Sequence, residues 1–183
     1  VVPGDQMTGK DGKSWENAVT IWDIYNHETV FAKNDATATW KNGDVFFFAG
    51  GTYYPTKQAG GIAGRIYRGF KFVGGCDPTV GPITDPNYRP DYRPSVTPTI
   101  FSGDLNGNGV ADAGDAQNLM LMRRGSNLNL DATDQYDLSK ATGSNGVLAP
   151  LRIYGFEFKC TYNSNPFPAT ESSDSQSGWG AVC

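Results

Sequence analysis

The densest chemistry in this 183-residue chain lies in one stretch of twelve, Asp104-Leu105-Asn106-Gly107-Asn108-Gly109-Val110-Ala111-Asp112-Ala113-Gly114-Asp115. Positions 1, 3, 5, 9 and 12 carry oxygen side chains and position 6 is glycine, the spacing of an EF-hand calcium loop. Hard Ca²⁺ needs six or more oxygens, and this pattern wraps them round one point. The expected ligands are Asp104, Asn106, Asn108, Asp112, Asp115 and the carbonyl of Val110, with a structural role for the ion. The twelfth residue is Asp rather than a bidentate Glu, and the two asparagines lower the ligand charge. Asx-rich turns use the same residues, so a simple turn is the competing reading.

A second chemical feature is the doubled Tyr-Arg-Pro of Asn87-Tyr88-Arg89-Pro90-Asp91-Tyr92-Arg93-Pro94. Proline keeps the backbone extended, so Tyr88, Arg89, Tyr92 and Arg93 recur on a stiff loop. Tyrosine faces stack on sugars and arginine forks onto carboxylates, which makes these four a candidate contact for a glycan or a protein. Alternatively, the loop packs its own aromatics against the body of the fold.

Catalytic constellations are sparse. His27 is the single histidine, expected as a solvated residue near a helix end, so a serine or cysteine nucleophile has no histidine base of the usual kind. Asp112 with Asp115, and Asp131 with Asp134, are acidic pairs of the type glycoside hydrolysis uses, although polar loops normally leave such pairs solvated. A β-eliminating lyase needs a basic residue, and Arg152 with Lys159 on one strand, or Arg123 with Arg124, are the candidates. No motif selects among them, so the catalytic residues are unassigned.

These side chains must be positioned by short apolar runs that end in glycine. The runs are Val45-Phe46-Phe47-Phe48-Ala49-Gly50-Gly51, Phe70-Lys71-Phe72-Val73-Gly74-Gly75, Thr99-Ile100-Phe101-Ser102-Gly103 and Leu151-Arg152-Ile153-Tyr154-Gly155-Phe156. Aromatic and β-branched residues suit strands, and the glycines suit sharp corners. The runs start at residues 45, 70, 99 and 151, at intervals of 25, 29 and 52, with Leu119-Met120-Leu121-Met122 filling the long gap. Self-similarity at this period predicts an all-β stacked solenoid of about five coils. Before it, Ser14 reads as the N-cap of a short amphipathic helix carrying Ala18, Ile21, Trp22 and Tyr25, so residues 10–28 are expected to cap the first coil.

The length is right for one domain spanning 1–183, with residues 126–147 as an inserted polar loop. The cysteines Cys76, Cys160 and Cys183 lack zinc spacing. Cys160 and Cys183 are 23 residues apart, about one coil, so they are either a disulfide or buried free thiols. A net charge of −4 disfavours nucleic acid or an anionic membrane as principal partner. No apolar run approaches membrane-spanning length.

Asp11-Gly12-Lys13-Ser14-Trp15-Glu16-Asn17-Ala18, the run from Asn42-Gly43-Asp44 to Tyr54-Pro55-Thr56, Phe70 to Gly75, Thr99 to Gly107 and Leu151 to Phe158 together resemble the N-terminal part of the right-handed parallel β-helix proteins of Bacteroidetes-type bacteria. The resemblance covers roughly residues 10 to 160. It implies a pectin-lyase-like fold and export to the periplasm, cell surface or medium, with the leader absent from this chain. That architecture hosts lyases, hydrolases, adhesins and surface proteins alike. Members usually continue for more coils, so the chain is read either as a single complete domain or as the N-terminal piece of a longer one, and its open end is expected to be covered by a partner chain or by missing C-terminal coils. The expected function is a non-catalytic exported or cell-surface module binding a glycan or another surface protein. A Ca²⁺-dependent polysaccharide lyase or a glycoside hydrolase is the alternative.

Overall fold

The computed structural model describes residues 1–31, 38–41, 43–61, 63–66, 68–90, 98–117, 119, 121–122 and 151–162. Among them is one α-helix, α1 (Ile21–Phe31), followed by β1 (Val45–Ala49), β2 (Gly51–Tyr53), β3 (Arg65–Ile66), β4 (Lys71–Cys76), a 3₁₀ turn (Pro78–Val80), β5 (Thr99–Ser102), β6 (Leu121–Met122), β7 (Arg152–Tyr154) and β8 (Phe156–Lys159). The strands form three parallel sheets, ordered β1-β4-β7, β2-β5-β8 and β3-β6.

Alternation along the strands decides what each sheet buries. In β1, Phe46 and Phe48 point inward while Val45 and Phe47 face outward. Register then stacks Phe46 on Phe72 and Ile153, and Tyr53 on Phe101 and Phe158. The two three-stranded sheets meet through these rings. Phe48 lies 5.0 Å from Phe72 in its own sheet and 5.9 Å from Phe101 across the core, with tilted or edge-on geometry. Thr99, fully buried, ties the sheets at one corner: its hydroxyl accepts from the Gly75 N–H at 2.7 Å and donates to the Ala49 carbonyl at 3.0 Å.

The five-coil, all-β solenoid, and with it the closed β-helix that the family resemblance implied, is therefore corrected. Counting glycine-terminated runs treated them as equivalent layers of one stack. The pairings separate them: Thr99–Ser102 joins Gly51–Tyr53 and Phe156–Lys159, while Leu121–Met122 joins Arg65–Ile66. The result is two small three-stranded parallel sheets, a two-stranded one and a helix. The physical reason is the corner itself. Gly155, at φ +72°, divides its apolar run into two strands belonging to different sheets, so the spacing between run starts mixes layers.

The helix also begins later than Ser14 suggests. Ser14 Oγ accepts from the Asn17 N–H in a turn, and α1 starts only after Thr20, whose N–H donates to Asp23 Oδ2 at 2.8 Å. That is the reciprocal half of a capping box, with Asp serving at the third helical position. The inserted loop expected at 126–147 lies outside the described residues.

Candidate ligand cleft

A cleft of about 630 Å³ opens between the segment Gly9–Trp15, the helix α1 and β1, the edge strand of its sheet. Val45, Phe46 and Phe47 of β1 all line it, the inward Phe46 as well as the two residues that alternation turns away from the core. Trp15 and Trp40 both line it. Each indole is half-buried and held by the fold: Trp15 Nε1 donates to the Gly81 carbonyl at 2.9 Å, while the Trp40 ring stands perpendicular to Phe46 at 5.1 Å. The volume falls in the range that encloses a small ligand.

Behind Trp40 lies a buried polar network. The Trp40 N–H donates to His27 Nε2 at 3.1 Å, which leaves Nδ1 to carry the ring proton toward Glu28 Oε1 at 3.2 Å. Glu28 in turn accepts from the Arg68 N–H at 2.9 Å and pairs with its guanidinium. His27 is only 6% exposed, so the expectation of a solvated helix-end histidine is corrected. His27 and Glu28 lie on the buried side of α1, between the exposed Asn26 and Thr29, and the partner of Glu28 is a residue forty positions away that no local pattern announces.

The carboxylates lining the cleft are committed to the backbone. Asp11 Oδ1 accepts from the Lys13 N–H at 3.0 Å and Asp44 Oδ2 from the Lys41 N–H at 2.8 Å. Asp23 accepts from the N–H groups of Thr8, Gly9 and Thr20 and from the hydroxyls of Thr8 and Thr20. Burial alone would raise the Asp23 carboxyl, but the donated hydrogen bonds outweigh it and hold the group below the usual carboxylate value.

The loop from Asp104 to Asp115 folds back on itself. Asp104 accepts from the Asn108 and Gly109 N–H groups, Asn106 from the Asn108 N–H and Asn108 from the Val110 N–H. Asp112 receives the side-chain amides of Asn106 and Asn108 at 3.0 and 2.7 Å. The Gly114 N–H and the Asn108 amide lower its carboxyl. Asp115 is fully buried and accepts from the N–H groups of Leu105 and Asp112, so its expected solvation alongside Asp112 is also corrected. Five of the six expected ligands thus gather through side chains in one network. Among the described residues no three His, Cys, Asp or Glu converge as a ready metal cluster.

The remaining sequence candidates are dispersed. Tyr88 packs on Phe47 at 6.2 Å, and the Arg89 guanidinium lies over the Tyr154 ring at 5.6 Å, so this half of the doubled motif rests on the outer face of a sheet. Arg152 and Lys159 fall on different strands, β7 and β8, correcting their assignment to one strand, and Lys159 pairs with Glu157 at 3.0 Å. Cys160 is a half-buried free thiol and Cys76 a buried one. Tyr92, Arg93, Arg123, Arg124, Asp131, Asp134 and Cys183 lie outside the described residues, so the Cys160–Cys183 pairing does too.

Trp15, Trp40 and Asp23 were not legible as a site. Trp15 sits in a polar Gly/Asp/Ser stretch and Trp40 beside Lys41, both outside any apolar periodicity. The available signal was an indole in polar company, with no strand or helix to bury it. Among the described residues no helix is long and apolar enough to cross a membrane. Comparison with protein-family models, with curated proteins and with solved structures found no match to this chain.

Proposed function

We propose that this chain is a non-catalytic module of an exported or cell-surface protein that binds a glycan in the cleft between Trp15 and Trp40. The observation that carries the reading is the pair of fixed indoles lining one cleft whose carboxylates each accept a backbone N–H of the fold. Indole faces stack on the apolar faces of sugar rings, and the exposed Asn26 and Lys13 at the rim supply hydrogen bonds to hydroxyls. Asp11, Asp23 and Asp44 hold the walls in place, a role that suits binding better than proton transfer.

A structural Ca²⁺ held by Asp104, Asn106, Asn108, Asp112, Asp115 and the Val110 carbonyl belongs to the same proposal. The Asn106 and Asn108 amides now donate to Asp112, so binding requires both to turn their oxygens inward. Three carboxylates are a modest ligand charge, in keeping with the about 10⁻⁴–10⁻³ M affinities of extracellular modules.

The test is retention of the protein on a panel of immobilised neutral and acidic polysaccharides, in millimolar calcium and after chelation, with chromatography of the wash. Retention without new oligosaccharides supports the reading, and calcium should raise the melting temperature in wild type but not in Asp112→Ala. Release of shortened or unsaturated products would replace it with the lyase or hydrolase alternative.

A further inference from the structure

The cleft wall formed by residues 8–15 supplies Lys10, Asp11, Lys13, Ser14 and Trp15 to the site, yet residues 4–13 are exposed along their whole length. An exposed segment contributes little burial of its own, so its position depends on a few polar ties. The Gln6 carbonyl accepts from the Thr20 hydroxyl at 2.7 Å, the Lys10 ammonium and the Gly12 N–H donate to the Glu16 and Asn17 carbonyls, and every tie of Thr8 and Gly9 to the helix converges on one side chain. Asp23, 8% exposed in the first turn of α1, takes Thr8 and Gly9 N–H on Oδ1 at 2.9 and 3.0 Å, and Thr8 Oγ1, Thr20 Oγ1 and Thr20 N–H on Oδ2 at 3.0, 3.1 and 2.8 Å. The same carboxylate therefore caps the helix and pins the wall.

We infer that Asp23 is the positioning residue of the cleft, fixing the wall that presents Trp15 without itself needing to touch the ligand. This deepens the glycan-binding reading and rests on it. Backbone N–H groups, which only donate, face both oxygens, so an amide in either orientation sets an NH₂ group against a donor. Asp23→Asn, nearly identical in shape, thus removes the latch while keeping the packing. A carboxylate receiving several backbone donors is a strong, charge-assisted tie, and helix N-termini favour the negative charge.

The experiment is amide hydrogen exchange of the full chain for wild type, Asp23→Asn and Thr8→Ala, read by peptide, beside retention on the same polysaccharide panel. In Asp23→Asn the peptide over residues 5–15 should exchange about tenfold faster or more, with β1 and β4 peptides unchanged, and retention should weaken by a similar factor. Thr8→Ala, which loses the hydroxyl's bond to Asp23 and its acceptor for the Lys10 N–H but keeps the backbone N–H bonds to Asp23, should show a smaller shift in the same peptide and decides the matter if Asp23→Asn does not fold. Equal acceleration everywhere, an unmoved 5–15 peptide, or wild-type retention with a released wall would each overturn the inference. Wild type that retains on no polysaccharide would sink the glycan reading, while exchange would still decide whether Asp23 holds the wall.

Discussion

Arg68 grips Glu28 twice, through its backbone N–H at 2.9 Å and through its guanidinium, with both side chains out of solvent at 5% and 0% exposure. The pair joins the helix to the chain just before β4, and His27 carries the network on to Trp40 at the cleft. Removing one partner leaves the other charge buried. Glu28→Ala should therefore destabilise the fold by about 3–5 kcal/mol, measured by urea unfolding. The double variant Glu28→Leu/Arg68→Met should recover most of that loss. A single-variant loss below about 1 kcal/mol, as for a surface pair, would show that the ion pair is not sequestered.

Asp23 makes stability depend on acid. Its folded carboxyl lies below the ordinary carboxylate value, because the donated hydrogen bonds outweigh the opposing effect of burial. Its contribution is then fully present above the unfolded value of about 4 and lost as pH falls through the folded one. Chemical denaturation between neutral and acid pH should show wild type losing stability there, and Asp23→Asn losing less. Parallel curves for the two proteins would contradict the assignment.

Gly103 follows β5 where two chain segments touch. A Cβ there would stand 2.0 Å from the Cys160 carbonyl oxygen, a backbone atom that cannot swing away, and the Gly103 N–H already donates to Lys159. Gly103→Ala is expected to cost about 1–3 kcal/mol by thermal or urea unfolding. Unchanged stability would mean that β5 and β8 do not approach in this way.

Cys76 ends β4 with its thiol buried and pushed up to about 11, chiefly by desolvation. The thiolate is the reactive form. Iodoacetamide at neutral pH should leave Cys76 unmodified in the folded protein and label it rapidly in denaturant, as mapped by peptide mass. Fast labelling in the native state would place the thiol at the surface.

How much of this was legible follows from particular residues. The strands at Val45–Ala49 and Thr99–Ser102 could be read because Phe46, Phe48 and Phe101 mark their buried positions locally. Which sheet each strand joins could not, since one corner residue such as Gly155 redirects the chain without changing its composition. The oxygen-rich loop was visible as a motif and does gather its side chains. The cleft was not, because it assembles Trp15, Asp23, Trp40 and Phe47 from four segments whose contact is tertiary. The burial of His27 is equally tertiary, resting on Trp40 and Glu28.

The central claim, that Trp15 presents its indole to a saccharide, is tested most directly by isothermal titration of wild type, Trp15→Phe and Trp15→Ala with the polysaccharide retained most strongly. Trp15→Phe keeps an aromatic face but loses the bond to Gly81, and should bind with a modest loss. Trp15→Ala should weaken binding by about tenfold or more, well beyond the loss in Trp15→Phe, which lacks the same bond to Gly81. Equal affinity of Trp15→Ala and wild type would contradict the account.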